Sequence, residues 1–222
     1  RLSKFFAMDR GHPDLPPLKA TVPVGKVYRY HENPEHVILD FAKRKEVDLI
    51  CLATTPDNRS KLTGWLNGGM TARILKAARC SVLCLRGRPI AEKAWVRPRF
   101  KHILLLTELG ARGATPLLKA LPWAHTFNSM LHIFPLLLDD SEPAADANPL
   151  REIAKINPTQ TNVLLFADPS RQTRNLMDFV HRTAVDLIII PPRARRELST
   201  PFVRDIVQHL LKETDSPVLV LR

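Results

Sequence analysis

Gly68 and Gly69 form the residue pair in this 222-residue chain whose position best suits the binding of a phosphate group. They stand directly before a helix predicted over residues 70–78, in which Met70, Ile74 and Ala77 share one face. Glycine lets backbone N–H groups approach a phosphate closely, and a helix N-terminus supplies partial positive charge. A plain glycine-rich helix start would have the same sequence, so both interpretations stay open at this point.

The other residues that could carry chemistry do not form a catalytic or metal-binding pattern. Ser60, Ser199 and Thr200 lie in predicted loops that lack the Gly-x-Ser-x-Gly turn of an activated serine. The eight histidines show neither a His-x-x-x-His nor a His-Glu-x-x-His spacing. We therefore predict no catalytic residue, no metal site and a protein that is not an enzyme.

The three cysteines, Cys51, Cys80 and Cys84, are predicted to be buried, reduced thiols in or beside strands. Their odd number argues against the disulfide framework of a secreted protein. Cys80 and Cys84 would lie about 13 Å apart on one face of an extended strand, which is too far for joint zinc coordination. This cysteine usage, together with the lack of an apolar N-terminal leader, predicts a cytoplasmic protein.

The chain carries a formal net charge of +11, which can attract anionic ligands, nucleic acid or an anionic membrane surface. Its dense cationic cluster, Arg193, Arg195 and Arg196, is interpreted as a solvated loop, with side-chain anion binding as the alternative. Aromatic residues for base stacking are not interleaved with the cations, which argues against nucleic-acid binding. No apolar run approaches the about 20 residues of a transmembrane helix, so no membrane span is predicted.

The chain contains an internal repeat. Residues 47–86 and residues 185–222 both open with Val-Asp-Leu-Ile and both close with a Val-Leu-x-Leu-Arg run. Upstream of these segments, Asp40-Phe41 and Asp178-Phe179 stand at matching positions. A match that extends over a helix, a strand, a loop, a helix and a strand predicts two copies of one α/β unit.

Hydrophobic periodicity predicts strands that alternate with helices in both copies. The predicted elements include strands at residues 47–52 and 187–190 and a helix at residues 203–213. Because such alternation calls for parallel sheets with right-handed crossovers, we predict two doubly wound, Rossmann-like α/β domains. The first, residues 1–86, is N-terminally incomplete, since it is about one β-α-β unit shorter than the second, residues 101–222. Residues 87–100 are the predicted linker. In the second copy, Pro122 is expected to bend or end the helix predicted over residues 114–125.

The segment from Asp48 to Arg86 resembles the second half of a universal stress protein domain. That family has a strand ending in Gly-x-x-Gly, a spacer, Gly-Ser or Gly-Thr opening a helix, and a terminal Pro-Val-Leu-Val-Val strand. His31-Glu-Asn-Pro34 resembles the Gly-x-Pro start of the family's preceding helix, and Thr107-Glu108 resembles the Thr-Asp that ends its first strand. The resemblance covers about residues 22–86 and 101–222.

The resemblance implies an ATP site in the first copy, although the motif there has changed. Ala53 and Pro56 occupy the two Gly-x-x-Gly positions, and a proline cannot donate an N–H. The glycine pair at the helix start remains, so half of the phosphate cradle is kept. The candidate cofactor-binding residues are those at the strand end and the helix start: Thr54, Gly68, Gly69 and Met70.

The second copy departs further from the family's motif. Pro191 and Ala194 stand at the Gly-x-x-Gly positions, and Arg204-Asp205 replaces the Gly-Ser pair. An aspartate at a helix N-terminus is stabilised there by the dipole, and it would repel a phosphate. We therefore expect no ATP binding of the family's kind in the second copy.

The resemblance implies a tandem universal stress protein, a non-enzymatic stress-response or regulatory module with at most weak ATP binding in the first copy. The copies are expected to pack as a pseudo-dimer, or to form a homodimer, through the terminal strands Ser81–Leu85 and Val218–Leu221. An anionic ligand or a protein partner is consistent with the same role. The alternative is a cytoplasmic regulatory domain cut from a transporter or sensor, which the missing initiator Met and the short first copy would fit.

Overall fold

Two α/β segments of the chain contribute strands to one sheet. A computed structural model describes residues 27–29, 31–54, 69–86, 100–108, 111–136, 161–164, 171–191, 210, 214 and 216–222. Within these ranges, no helix combines the length and the hydrophobicity needed to cross a bilayer.

The first segment follows the predicted order of helix, strand, helix and strand. Its elements are α1 (Pro34–Arg44), β1 (Leu49–Thr54), α2 (Met70–Ala77) and β2 (Ser81–Arg86). Helix α1 begins with Pro34, whose fixed φ suits the first helical turn. It carries Glu35 in its first turn and Lys43 and Arg44 in its last, which complements the helix dipole. The strand that follows starts two residues later than the sequence predicted.

The second segment contains the longer series of elements. These are β3 (His102–Glu108), α3 (Ala111–Phe127), β4 (Met130–Leu136), β5 (Thr161–Val163), α4 (Gln172–Thr183), β6 (Leu187–Ile190) and β7 (Val218–Val220). The helix predicted over residues 203–213, apart from Leu210, and residues 87–99 of the predicted linker lie outside the described residues. Phe100, at the end of the predicted linker, is buried and packs edge-on against Phe127 of α3, with ring centroids 4.8 Å apart.

The described strands form a seven-stranded sheet in the order β1-β2-β7-β6-β3-β4-β5. The strands of each segment are parallel to one another, as the alternating pattern predicts. Strands β2 and β7 join the two segments, and they are antiparallel. The polarity of the sheet therefore reverses once, at this pair.

The pairing of β2 with β7 has the symmetry of a two-fold axis. Its register partners are Val82↔Val220, Leu83↔Leu219 and Cys84↔Val218. In the sequence repeat, Val82 matches Val218 and Leu83 matches Leu219, so the pairing maps onto itself when the two copies are exchanged. The expected contact between the two terminal strands is thus present in the structure.

The copies also share a turn in the left-handed backbone region. Glu46 and Ala184 occupy the same repeat position and have φ values of 50° each. In both, the next residue donates its N–H back to the helix: Val47 to the Ala42 carbonyl at 3.0 Å, and Val185 to the Val180 carbonyl at 3.4 Å. This six-to-one bond caps the helix and directs the chain into the Val-Asp-Leu-Ile strand.

The two faces of the sheet carry separate apolar clusters. One cluster packs under α1, α2 and α4 and includes Ile74, Leu104, Leu176 and Val218. The other packs under α3 and includes Leu105, Leu117, Leu131 and Leu219. Among the described residues, α3 is the helix that covers the second face, and it belongs to the second segment.

One sequence prediction about these faces was wrong. Cys51 of β1 is exposed rather than buried, because its side of the first segment has no described counterpart of α3. Cys80 is partly buried and Cys84 is buried, as expected. Of the two effects expected of Pro122, a bend or an end of the helix, the end does not occur, since α3 continues to Phe127. Burial of Leu117, Ala120 and Ala124 against the sheet stabilises the helix on both sides of the proline.

Candidate functional site

The predicted cofactor-binding residues of the first copy lie at the carboxyl end of β1. Thr54 is the last residue of that strand, and Met70 is the first residue of α2. Helix α2 returns the chain to β2, which is parallel to β1, so the start of α2 faces the same edge of the sheet as Thr54. Gly68 lies outside the described residues.

Gly69 is the N-cap residue of α2. It is exposed and extended, with φ −64° and ψ 168°, and as a glycine it has no side chain that could cap the helix. Met70 is 41% exposed. The first turn of α2 contains no acidic residue, so no carboxylate in this turn competes for its N–H groups. Electrostatically, this helix start is therefore able to accept an anion.

A partly buried ion pair that the sequence did not reveal lies beside this helix start. Arg73, in the second turn of α2, donates from Nε to Glu35 Oε1 at 2.8 Å, and the Glu35 side chain is only 8% exposed. A backbone hydrogen bond at Glu35 and the Arg73 guanidinium lower the pKa of this carboxyl, against the opposite effect of burial. The pair links the starts of α1 and α2 and offsets the negative charge of Glu35.

The carboxyl edge of the second copy has different residues. Thr107 is fully buried near the end of β3, where Glu108 is the last strand residue, and Pro191 is buried directly after β6. Gln172, at the start of α4, donates from Nε2 to the Pro135 carbonyl at 3.4 Å. Its buried Oε1 has no hydrogen-bond partner in the described part of the chain. The positions of Ala194, Arg204-Asp205 and the Arg193–Arg196 cluster lie outside the described residues.

A histidine pair lies at the amino end of β3 and β4. His102 Nδ1 and His132 Nε2 are 3.2 Å apart, and Phe179 of α4 packs its ring edge against His132. Burial and, to a smaller degree, the neighbouring His102 lower the pKa of His132 to about 4. At neutral pH the two rings can share one hydrogen bond only if one nitrogen donates and the other accepts. Across the described ranges, no three His, Cys, Asp or Glu side chains form a group that could hold a metal ion.

The repeated Val-Asp-Leu-Ile motif has different contacts in its two copies. Asp186 Oδ2 accepts the backbone N–H groups of Lys101 at 2.8 Å and His102 at 3.0 Å, which fixes the start of β3. Its counterpart Asp48 is exposed and makes no side-chain hydrogen bond with another described residue. The second aspartate is therefore a structural residue that anchors the strand paired with β6.

Comparison with known proteins agrees with this architecture. Residues 9–86 match the family model described as the universal stress protein family. No curated protein matches the chain. A universal stress protein from Archaeoglobus fulgidus is similar in structure, with a TM-score of 0.61 and 15% sequence identity, over 85% of this chain and 65% of that one.

Two structures from Pseudomonas aeruginosa are similar as well. One is a functionally unknown protein, with a TM-score of 0.57 and 18% identity over 84% of this chain and 67% of that one. The other is described as a universal stress protein, with a TM-score of 0.55 and 18% identity over 83% of this chain and 66% of that one. The chain thus spans about two thirds of the length of these structures. Residues 9–86 match the universal stress protein family, and the chain has the α/β fold that structures of this family show.

Proposed function

We propose that the chain is a tandem universal stress module, in which residues 1–86 and 101–222 are two unequal copies and the role is non-enzymatic stress response or regulation in the cytoplasm. The observation that carries the proposal is the two-fold pairing of β2 with β7 about Leu83 and Leu219. Duplicated units that meet through identical surfaces pack in this isologous manner.

The strand registers within each copy support the same proposal. Ile50 pairs with Val82 in the first copy, and the matching Ile188 pairs with Val218 in the second. Two unrelated pairs of parallel strands have no reason to share both this register and the same left-handed turn before the strand. Their agreement favours duplication of one folding unit.

The first copy is the proposed site of weak ATP binding, through Thr54, Gly68, Gly69 and Met70. Support comes from the exposed start of α2, from its acid-free first turn and from the Arg73 guanidinium beside Glu35. A phosphate at this position would interact with the helix N–H groups and with the positive end of the dipole. Pro56 removes one N–H donor from the family's motif, so the affinity is expected to be low.

Isothermal titration with ATP tests the proposed nucleotide site. The wild-type chain should show a weak, saturable heat signal, and Gly68→Asp should abolish it by placing a negative charge in the cradle. Thr126→Asp, which adds the same charge on the exposed surface of α3, is the matched control and should leave binding unchanged. A wild-type chain that gives no heat would remove nucleotide binding from the proposal but not the tandem arrangement.

A single new cysteine tests the tandem arrangement separately. Cys84 and Val218 are register partners, and facing residues of an antiparallel pair have Cα atoms about 4.5–5.5 Å apart, a distance that a disulfide can span. Val218→Cys should therefore form an intramolecular disulfide with Cys84 when the protein is refolded under oxidising conditions. Leu219→Cys, on the opposite face of the sheet, should not. Peptide mapping without reductant reads the result, and a Val218→Cys chain with free thiols throughout would contradict the arrangement.

A further inference from the structure

The side of β1 that faces away from β2, which we call the outer side, has no strand beside it in the described part of the chain. Strand β1 stands first in the sheet order and pairs there with β2 alone. Ser81 donates its N–H to the Asp48 carbonyl at 3.2 Å, so this carbonyl points toward β2. Because backbone groups alternate in direction along a strand, those of Leu49 and Cys51 point to the outer side. The outer side of β1 can therefore accept a further strand.

The matching side of the second copy is covered by a strand. There β3 lies on the side of β6 away from β7, in the register Leu104↔Ile188 and Leu105↔Ile189. Ile189 is fully buried, whereas Cys51, which occupies the same repeat position, is exposed. The surface that β3 covers in the second copy is thus open among the described residues of the first.

Helix α1 indicates the side from which the chain reaches β1. Helices α1 and α2 pack on the same face of the sheet, and α2 leads from β1 to β2. Right-handed crossovers on one face of parallel strands all step in the same direction. A parallel strand that precedes α1 therefore lies on the outer side of β1. The second segment follows this rule, since α4 packs on that face and β5, which precedes it, lies on the side of β6 away from β7.

Residues 5–8, which lie outside the described residues, have the sequence pattern of β3. They read Phe-Phe-Ala-Met and are followed by Asp9 and, two residues later, by Gly11. Strand β3 contains Leu-Leu-Leu-Thr, followed by Glu108 and Gly110 at the same spacing. A short apolar run that ends at turn residues is typical of a buried strand. Residues 9–48 would connect this run to β1, which exceeds the about 10–12 residues that a crossover needs.

We infer that residues 5–8 bind along the outer side of β1 as a parallel strand of the same chain. The repeat sets the register, with Phe5 opposite Ile50 and Phe6 opposite Cys51. Cys51 then donates its N–H to the Phe5 carbonyl, and the strand begins beyond Asp48 without reaching it. The register rests on the proposed duplication. The Val218→Cys test of that duplication does not involve residues 5–8, so the two proposals can fail separately.

Hydrogen exchange measured by NMR on the wild-type chain tests the bound strand directly. On an open outer side, the Cys51 amide would exchange nearly as fast as in an unstructured chain. With residues 5–8 bound, we expect it to exchange at least about a hundredfold more slowly, as the Ile50 amide does on the side of β2. Fast exchange at Cys51 beside slow exchange at Ile50 would overturn the inference.

Phe5→Asp identifies the segment that protects this amide. The variant places a carboxylate opposite the buried Ile50, so it should raise the exchange rate of the Cys51 amide about tenfold or more and leave that of Ile50 unchanged. Val27→Asp adds the same charge at a position that is 52% exposed, and as the control it should change neither rate. Slow exchange at Cys51 that persists in Phe5→Asp would overturn the assignment to residues 5–8.

A disulfide tests the register and identifies the chain that supplies the strand. Phe6→Cys places a thiol opposite the free Cys51, at the about 4.7–4.9 Å spacing of neighbouring strands, so oxidising conditions should join the two within one chain. Phe5→Cys, which faces the other side of the sheet, should not react with Cys51. Peptide mapping without reductant reads the result, and circular dichroism verifies folding; if Phe6→Cys fails to fold, the wild-type exchange decides. Either no disulfide with Cys51 or one between two chains would overturn the inference, the latter because a second copy would supply the strand.

Discussion

Leu83 of β2 and Leu219 of β7 are register partners at the centre of the antiparallel pair that joins the two segments. They occupy the same position of the repeat, yet they differ in burial: Leu219 is fully buried, whereas Leu83 is 8% exposed. The difference arises because α3 covers this face of the sheet only in the second segment among the described residues. The matching positions of the two leucines agree with the proposed duplication, and their unequal burial shows that the two segments are covered differently on this face.

Truncating these two leucines should reveal that asymmetry. Leu219→Ala should lower the free energy of unfolding by about 3 kcal/mol or more, and Leu83→Ala by less, because its cavity is closer to solvent. Urea denaturation of both variants measures the difference. Leu85→Ala, at a position that is 37% exposed, is the control and should cost least. A Leu83→Ala cost equal to that of Leu85→Ala would contradict a packed junction.

The two aspartates of the repeated motif should have unequal effects on stability. Asp186→Ala removes a carboxylate that accepts two backbone N–H groups, so it should destabilise the protein by about 2–3 kcal/mol. Asp48→Ala, its counterpart in the first copy, should change the free energy of unfolding by less than about 0.5 kcal/mol. Chemical denaturation measures both. Equal costs would mean that Asp48 also anchors a strand.

Acidification should destabilise the protein through His132. Its pKa is about 4 in the folded state against 6.5 as the ordinary value, so the unfolded chain binds more protons between these pH values. The free energy of unfolding should therefore fall as the pH drops below about 6.5, by a total of about 3 kcal/mol near pH 4.

Urea midpoints measured between pH 7.5 and pH 4.5 check this prediction. His132→Gln should flatten the pH dependence in that range, because it removes the titrating ring and keeps a polar partner for His102. His181→Gln, an exposed position on α4, is the control and should keep the wild-type profile. An unaltered profile in His132→Gln would assign the effect to other groups.

The ion pair between Arg73 and Glu35 should contribute more to the stability of the fold than a surface ion pair does. Arg73→Met leaves a buried carboxylate without its cation, so it should destabilise the protein more than Arg44→Met does. The Asp40–Arg44 pair is exposed on both sides and is expected to contribute only about 0.3–0.5 kcal/mol. Thermal melts at neutral pH compare the two variants, and the reverse order would contradict this reasoning.

The contribution of Glu35 to the free energy of unfolding should also depend on pH, over a lower pH range than that of His132. Since the pKa of Glu35 is lowered in the folded state, its stabilisation is present above its ordinary value of 4.5 and is lost as the pH falls through the folded value. This loss occurs at lower pH than most of the His132 effect. A double-mutant cycle tests this coupling. It compares the free energies of unfolding of Glu35→Gln, Arg73→Met and the double variant as a function of pH.

Local sequence patterns predicted the elements that depend on neighbouring residues. The strand at Leu187–Ile190 and the helix at Met70 follow from apolar periodicity alone, and the structure has them at these positions. The repeated Val-Asp-Leu-Ile and Val-Leu-x-Leu-Arg runs indicated which two strands would meet. These signals are contained in single segments, so no knowledge of packing was required.

The contacts that depend on packing could not be predicted in this way. His102 and His132 are 30 residues apart, and their contact requires the particular register of β3 on β4. Glu35 and Arg73 are 38 residues apart and belong to two helices whose relative position no periodicity encodes. The exposure of Cys51 depends on which elements cover a face of the sheet, and a pattern within one segment does not contain that information.

Because strand direction reverses once, between β2 and β7, carboxyl ends of strands lie at both edges of the sheet. The carboxyl ends of β1 and β2 lie at one edge of the sheet, and those of the second segment lie at the other, about 20 Å away across a six-residue strand. An anion bound at the start of α2 would therefore lie at the carboxyl edge of β1 and β2. The carboxyl ends of β3, β4 and β6 lie on the opposite side, so occupation of one edge does not obstruct the other.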